Sequence, residues 1–349
     1  MISAVVGRKG GLELIEIPKP KPEKGEIVVE MKACGICGTD LEKIGVGTET
    51  PPVLGHEVVG VVSDIGGELD ENIEIGERVF THHHVACGKC WYCYNGSETM
   101  CDLFKKTNIW PGGFSEYFKV PKTNIERGAL HRIPSNMGWV KATFIEPLAT
   151  VIRAVNRSSI KPGYRIAIVG SGPMGMLFIN YLNSLGVEEI LAVDISNYRC
   201  RKAEELGASK CIHPKEIDDQ NYRADVAIQA TGSIKALETS FKLTRKGGEI
   251  LLFGAPPPKA KAEVPLSKIF YEEIKITPSY STTEKEIEIA LKILNKNIIE
   301  IDKIVTHIYT LKNIRKAFET ALKSDKALKI IIVKDKNSIE PELQDRFIE

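Results

Sequence analysis

The segment RIAIVGSGPMGMLFINYL, residues 165–182, decides the fold. An apolar run, Arg165 to Val169, ends in Gly170-x-Gly172-x-x-Gly175, and a helical run follows from Met174 to Leu185. In such a turn the first glycine permits the tight bend, and the second lets backbone approach a pyrophosphate. The third lets helix and strand pack closely. The helix N-terminus then presents free N–H groups and the positive end of its dipole to phosphate oxygens. On its own the triplet fits a plain strand-to-helix turn equally well. Here a second apolar strand, Glu189 to Val193, ends at Asp194, 19 positions after Gly175. A carboxylate there accepts hydrogen bonds from the adenosine ribose hydroxyls and repels a 2′-phosphate, so NAD is expected over NADP. Arg199, five residues on, tempers this, because a guanidinium can neutralise a phosphate; it reads more simply as a solvated charge at a helix start. The expected cofactor contacts are Gly170, Gly172, Pro173, Met174, Gly175, Asp194, Arg199 and Thr231.

Outward from this turn, strand and helix patterns alternate. LATVIRAVNRSS reads as a helix before the turn Pro162-Gly163, and ADVAIQAT (224–231) and GEILLF (248–253) read as further buried strands. Alternation of this kind implies a parallel sheet with right-handed crossovers. Towards the N-terminus the pattern is strand-like: Glu26 to Lys32, Val58 to Ile65 and Glu77 to Phe80 are runs bounded by turn formers. Many short strands with glycine punctuation predict a barrel-like or sandwich domain. After about residue 281 the pattern is mixed, with helix candidates Glu284 to Asn295 and Ile314 to Leu322 and a closing strand KIIIVKD (329–335). The division expected is residues 1–147, then a dinucleotide-binding domain over 148–281, then a segment 282–349 that completes the first domain.

The 349 residues suffice for two ordinary domains, and with 43% hydrophobic and 27% charged residues they read as globular. A formal net charge of +1 gives no reason to expect nucleic acid or an anionic membrane as partner. No stretch approaches the roughly 20 apolar residues of a membrane span, and the N-terminus lacks a leader pattern. A cytoplasmic location follows, and the eight cysteines are read as thiols or metal ligands rather than disulfides.

Cys87, Cys90, Cys93 and Cys101 form C-x2-C-x2-C-x7-C. Four thiolates so close in the chain match a closed tetrahedral zinc site, which holds a lobe together and leaves no position for chemistry. Cys37 in CGICGTD, His56 and Glu57 in GHEVVG, and Glu146 in IEPLAT are dispersed. Singly they read as a buried thiol, a core imidazole and solvated carboxylates. Cys200 and Cys211 lack a partner pattern and read as inert packing residues. His82, His83 and His84 suggest metal to the eye, but consecutive strand residues point to opposite faces and cannot converge on one ion; one or two are expected to face a cleft. Trp110 and Phe114 are pocket or core candidates.

Together CGICGTD, GHEVVG, the four-cysteine lobe, GGFSEY, EPLAT, GSGPMG, KGGEILLFG and IVTHIYTL resemble the zinc-containing medium-chain dehydrogenase/reductase family, with sorbitol (L-iditol), threonine and archaeal glucose dehydrogenases most alike. The resemblance implies an α/β protein: a GroES-like β-rich catalytic domain plus a Rossmann doubly wound parallel-sheet domain. It implies a catalytic zinc held by Cys37, His56 and one or both of Glu57 and Glu146, with an exchangeable position, and a structural zinc on the four cysteines, two ions per chain. Asp40 would orient the ligand histidine, and Thr39 would relay the alcohol proton. Hydride would pass from a small secondary alcohol to NAD across a cleft between the domains. Relatives often carry histidine where this chain has Glu42, so Glu42 either ends the relay or is an exposed acid. The substrate expected is a polyol or sugar-like alcohol. Threonine or a simple secondary alcohol is the alternative within the family. A zinc-stabilised dinucleotide-binding sensor without turnover is the alternative outside it. The resemblance further implies a homodimer or homotetramer.

Overall fold

Arg165–Val169 lies inside a six-stranded parallel sheet, as its uninterrupted apolar character requires. The computed structural model describes residues 1–45, 53–69 and 72–349. The sheet order is Lys210–Ile212, Glu189–Val193, Arg165–Val169, Ala224–Gln229, Thr244–Leu252, Lys275–Pro278. The third strand in this order is first in the chain, and its neighbours on either side are the second and the fourth. That is the point where a doubly wound sheet reverses direction and opens a crevice beyond its carboxyl ends. The helix Pro173–Ser184 follows directly, with proline at its first position, where the missing N–H costs nothing. Ala167, Val169, Leu191, Val193, Ala224 and Ala227 pack together in the core of this body.

The chain divides into two compact units. One comprises Met1–Ala149, Thr282–Asn297 and Val305–Glu349; the other comprises Thr150–Ser281 and Ile298–Ile304. The second contains the parallel sheet. The helix that reads as starting near residue 148 begins earlier, at Ile145, and runs to Arg157, so it carries the chain from the first unit into the second.

The first unit is built on a seven-stranded mixed sheet. Its path is Val305–Thr310, Lys329–Val333, Ile27–Gly35, Glu57–Ile65, Arg78–Thr81, Leu130–Arg132, and Tyr117–Val120 pairs with Ile27–Gly35. The long strand Ile27–Gly35 therefore joins sequence-distant pieces: Glu57–Ile65 on one side, Lys329–Val333 from the C-terminal segment on the other. The core beneath includes Val29, Met31, Leu54, Val58, Phe114, Phe118, Ile330 and Ile332. Phe114 is fully buried and packs edge-to-face on Phe318 of the helix Ile314–Lys323, with centroids 5.8 Å apart. Phe114 thus fastens the C-terminal segment to the N-terminal strands; Trp110 is exposed. Among the described residues no helix is long and apolar enough to cross a membrane.

Cys200 and Cys211 are joined in a disulfide, with Cα atoms 5.1 Å apart. This corrects the reading of both as inert packing residues and of all eight cysteines as thiols or ligands. They lie eleven positions apart in sequence, and the packing of helix Asn197–Glu205 beside strand Lys210–Ile212 brings them together.

Phe114→Ala removes a fully buried ring that bridges two chain segments, so it is expected to cost about 3–5 kcal/mol, read as a lower urea midpoint at unchanged slope.

Candidate active site

The CGICGTD segment leaves the strand Ile27–Gly35 and turns at once into the helix Gly38–Ile44, with Cys37 as its N-cap. Asp40, at the third helical position, is fully buried. One of its carboxylate oxygens accepts the Cys37 N–H at 3.0 Å. The other accepts the Gly55 N–H at 3.0 Å and lies 3.7 Å from His56 Nδ1, an electrostatic contact longer than a hydrogen bond. Burial opposes ionisation of Asp40, but His56 and these donors outweigh it and lower its pKa. Gly55 has φ +73°, and a Cβ there would lie 2.7 Å from the Phe114 nitrogen, so the residue before His56 has to be glycine.

The result is a cluster in which one ligand atom each from Cys37, His56 and Glu57 lies within 4.8 Å of the others. A sulfur, a nitrogen and an oxygen at that separation suit a divalent zinc with an open position. Glu146, also buried, stands outside this radius, although its charge is felt by Glu57 and by Lys329. Thr39 lies partly exposed in the first helical turn, two residues from Cys37. Glu42 is exposed on the same helix.

Lys329 was not legible as a site residue. It opens the closing strand, 2% exposed, and donates to Glu57 Oε1 at 2.6 Å and to the Ile36 carbonyl at 3.1 Å. Burial disfavours its charge, but Glu57 more than compensates and raises its pKa. Burial likewise raises the pKa of Glu57 against the pull of Lys329. The one available signal was a lysine heading an otherwise wholly apolar strand.

The three histidines follow the strand Arg78–Thr81 rather than continuing it, so the alternation expected of strand residues does not apply. His82 is buried and its Nδ1 is 2.8 Å from Glu284 Oε1. The His83 ring lies 5.0 Å from that of His56 and 4.0 Å from that of His84. His84 Nδ1 donates to the Thr107 carbonyl at 2.6 Å. Burial, reinforced by neighbouring histidines, lowers His83 well below the ordinary imidazole range and His84 to about 4. A neutral imidazole at His83 therefore stands beside His56, with that of His84 packed against it.

The four-cysteine lobe brings its sulfurs together. Its sulfurs all lie within 4.8 Å of one another, with Cys90–Cys93 at 3.5 Å and Cys87–Cys93 at 3.9 Å. A tetrahedron of about 2.3 Å Zn–S bonds has edges of about 3.8 Å. A backbone N–H from Lys89 lowers the Cys87 thiol to about 6, towards the thiolate that binds metal.

In the other unit the glycine turn is closed tightly: a Cβ on Gly175 would collide with the Gly170 carbonyl oxygen. Asp194, 7% exposed, accepts the Ser171 N–H at 2.7 Å and the Ser196 N–H at 2.9 Å. It ties the glycine turn to the start of the next helix. Pro173 and Met174 form the first turn of the helix Pro173–Ser184, Thr231 packs against Gly170 and Gly254, and Arg199 is half-buried in the helix Asn197–Glu205.

Residues 23–134 match the model of the alcohol dehydrogenase GroES-like domain and residues 173–296 that of the zinc-binding dehydrogenase domain. An alcohol dehydrogenase of Geobacillus stearothermophilus is 30% identical over 93% of this chain and 96% of its own length. A sorbitol dehydrogenase of Bacillus subtilis is 28% identical over 95% of this chain and 97% of its own. A solved structure from Sinorhizobium meliloti, described as a zinc-binding dehydrogenase bound to NADP, superposes with a TM-score of 0.85 at 26% identity, covering 95% of this chain and 98% of that one. Zinc and a nicotinamide dinucleotide are thus the groups the two sites are built for.

Two outcomes are expected. Lys329→Met leaves the Glu57 charge buried without its partner and should cost about 3–5 kcal/mol in urea unfolding, while Glu57→Leu/Lys329→Met recovers much of the loss. Burial opposes the charge on His56, but the Cys37 sulfur and Asp40 raise its pKa well above the ordinary value. A proton therefore competes with metal for this imidazole at any pH below that raised value. Dialysis from about pH 8 to about pH 5.5 should strip zinc from the Cys37 cluster before the four-cysteine lobe, as read by metal analysis. The paired domain matches, the full-length relatives and the donor cluster agree: this chain belongs to the zinc-containing medium-chain dehydrogenase/reductase family.

Proposed function

We propose that this chain oxidises a small, uncharged secondary alcohol, a polyol or sugar-like compound, with NAD as hydride acceptor. The observation that carries the reading is the sulfur–nitrogen–oxygen donor set of Cys37, His56 and Glu57, flanked by imidazoles held neutral. Neutral imidazoles at His83 and His84 exchange hydrogen bonds with hydroxyl groups and offer no charge to a carboxylate substrate. That favours a polyol over an amino acid.

In this reading Cys37, His56 and Glu57 or Glu146 hold a catalytic zinc, and Cys87, Cys90, Cys93 and Cys101 hold a structural one. When bound, the catalytic ion lowers the pKa of the alcohol hydroxyl. Thr39 takes the proton from that hydroxyl. Asp40 fixes the helix start that carries Thr39 and Cys37, and its charge favours an electron-rich His56. The Gly170–Gly175 turn and the helix N-terminus at Pro173 hold the pyrophosphate. Asp194 takes the adenosine ribose hydroxyls. Its buried charge, fixed by two backbone donors, supports NAD over NADP in this chain.

Homodimers or homotetramers are supported by the edge strand Lys275–Pro278, paired on one side only. The adjacent helix Leu266–Tyr271 exposes Leu266, Phe270 and Tyr271. Five of the eight cysteines stand in the two donor clusters, where metal binding needs them reduced, and this supports a cytoplasmic setting.

The test is reduced-cofactor formation across sorbitol, xylitol, inositols, arabinose, glucose, 2,3-butanediol and threonine, with NAD and NADP in parallel. Turnover of a neutral polyol or diol with NAD is expected. Asp194→Ala should raise KM for NAD about tenfold, a loss of about 1.4 kcal/mol, and narrow the preference over NADP. Threonine as the sole substrate would overturn the polyol reading, and equal efficiency with NADP would overturn the NAD reading.

A further inference from the structure

We propose that the Cys200–Cys211 disulfide is a redox-reversible brace on the ribose-binding corner of the dinucleotide site, and that its reduction by a dithiol weakens cofactor binding. The proposal rests on the reading of Asp194 as the ribose ligand.

Asp194 sits between two weakly anchored elements. The helix Asn197–Glu205 begins three residues after it, and of that helix only Ala203 is buried. The strand Lys210–Ile212 has three residues and lies at the sheet edge, paired among the described residues only with Glu189–Val193. Each element is held by a single fully buried apolar side chain, Ala203 of the helix and Ile212 of the strand, which is little burial to fix its position. Yet both set the geometry of Asp194. Its N–H donates to the Ile212 carbonyl at 3.2 Å, and its carboxylate accepts from Ser196, the N-cap of the helix. Cys200 is tied to the same cap, its N–H donating to the Ser196 carbonyl at 2.9 Å, and its sulfur lies 3.9 Å from the Asp194 carbonyl oxygen. Cys211 stands in the middle of the edge strand, opposite Ala192. The S–S bond therefore joins the helix that follows Asp194 to the strand beside it, adding a covalent link to the hydrogen bond from the Cys211 N–H to the Glu204 carboxylate at 2.9 Å.

Both cysteines are half-buried, so a thiolate can reach them. One thiol of a small dithiol attacks one sulfur and forms a mixed disulfide. The second thiol then displaces the protein sulfur and closes a cyclic disulfide. Two electrons and two protons pass to the protein, and Cys200 and Cys211 become thiols. The freed helix start lets Asp194 and Ser196 move relative to the glycine turn, and the ribose hydroxyls lose a fixed acceptor.

The experiment compares full-length, zinc-replete protein in three forms: oxidised, reduced with a phosphine that leaves zinc in place, and Cys200→Ser/Cys211→Ser. Peptide mapping under non-reducing conditions establishes the bond, and NADH titration by fluorescence gives Kd. The expected result is an NADH Kd about fivefold or more higher in the reduced and double-serine forms, with kcat at saturating cofactor and zinc content unchanged. A lower Tm with an unchanged Kd would make the bond purely structural and overturn the proposal. So would free alkylation of both cysteines in the oxidised protein. Failure of the oxidised protein to bind NADH at all would instead overturn the reading of the dinucleotide site. If the double variant does not fold, the reduced wild-type protein decides the outcome.

Discussion

The catalytic half of this protein depends on one buried carboxylate. Asp40 accepts the Cys37 N–H with one oxygen and the Gly55 N–H with the other, and so binds together the two chain segments that carry the metal donors. Hydrogen bonds to an ionised acceptor are stronger than neutral ones, and burial removes competing water. Its negative charge also faces the His56 imidazole. The same group thus fixes position and tunes the electron density of a ligand. The helix Gly38–Ile44 exists where it does because Asp40 closes its N-terminus onto Cys37.

Charge accounting explains the second buried pair. Burial disfavours the charge of Glu57, and the neighbouring Glu146 adds to that penalty. Lys329 supplies a compensating positive charge, from a strand laid against Ile27–Gly35 by the C-terminal segment. An unpaired buried carboxylate would neutralise by taking a proton and would serve poorly near a cation. The return of the chain into the first unit after residue 304 therefore completes the site electrically as well as completing the sheet.

The dinucleotide half is governed by a comparable device. Asp194 accepts backbone N–H groups from Ser171 in the glycine turn and from Ser196 at the next helix, which orients its carboxylate before any ligand arrives. The disulfide between Cys200 and Cys211 lies immediately behind it. Both units thus use a buried acid to couple two segments of chain.

The amino-acid sequence alone determined what depends on neighbours in the chain. The glycine turn, the strand before it and the acid closing the next strand are local, so the parallel sheet and its cofactor crevice followed from them. The four cysteines span only 87–101, close enough for spacing alone to declare a tetrahedral donor set. Tertiary structure decided what depends on contacts across the chain. Glu57 and Lys329 lie 272 positions apart, and strand order alone makes them partners. Glu57 joins Cys37 and His56 in one cluster of donor atoms, while Glu146 stands on the separate helix Ile145–Arg157. The three histidines escaped the strand rule because their strand ends at Thr81, and Cys200 met Cys211 because an edge strand folds back beside a short helix. Periodicity and spacing record how a segment is shaped. They carry no information about which distant side chain will fill the space or balance the charge beside it.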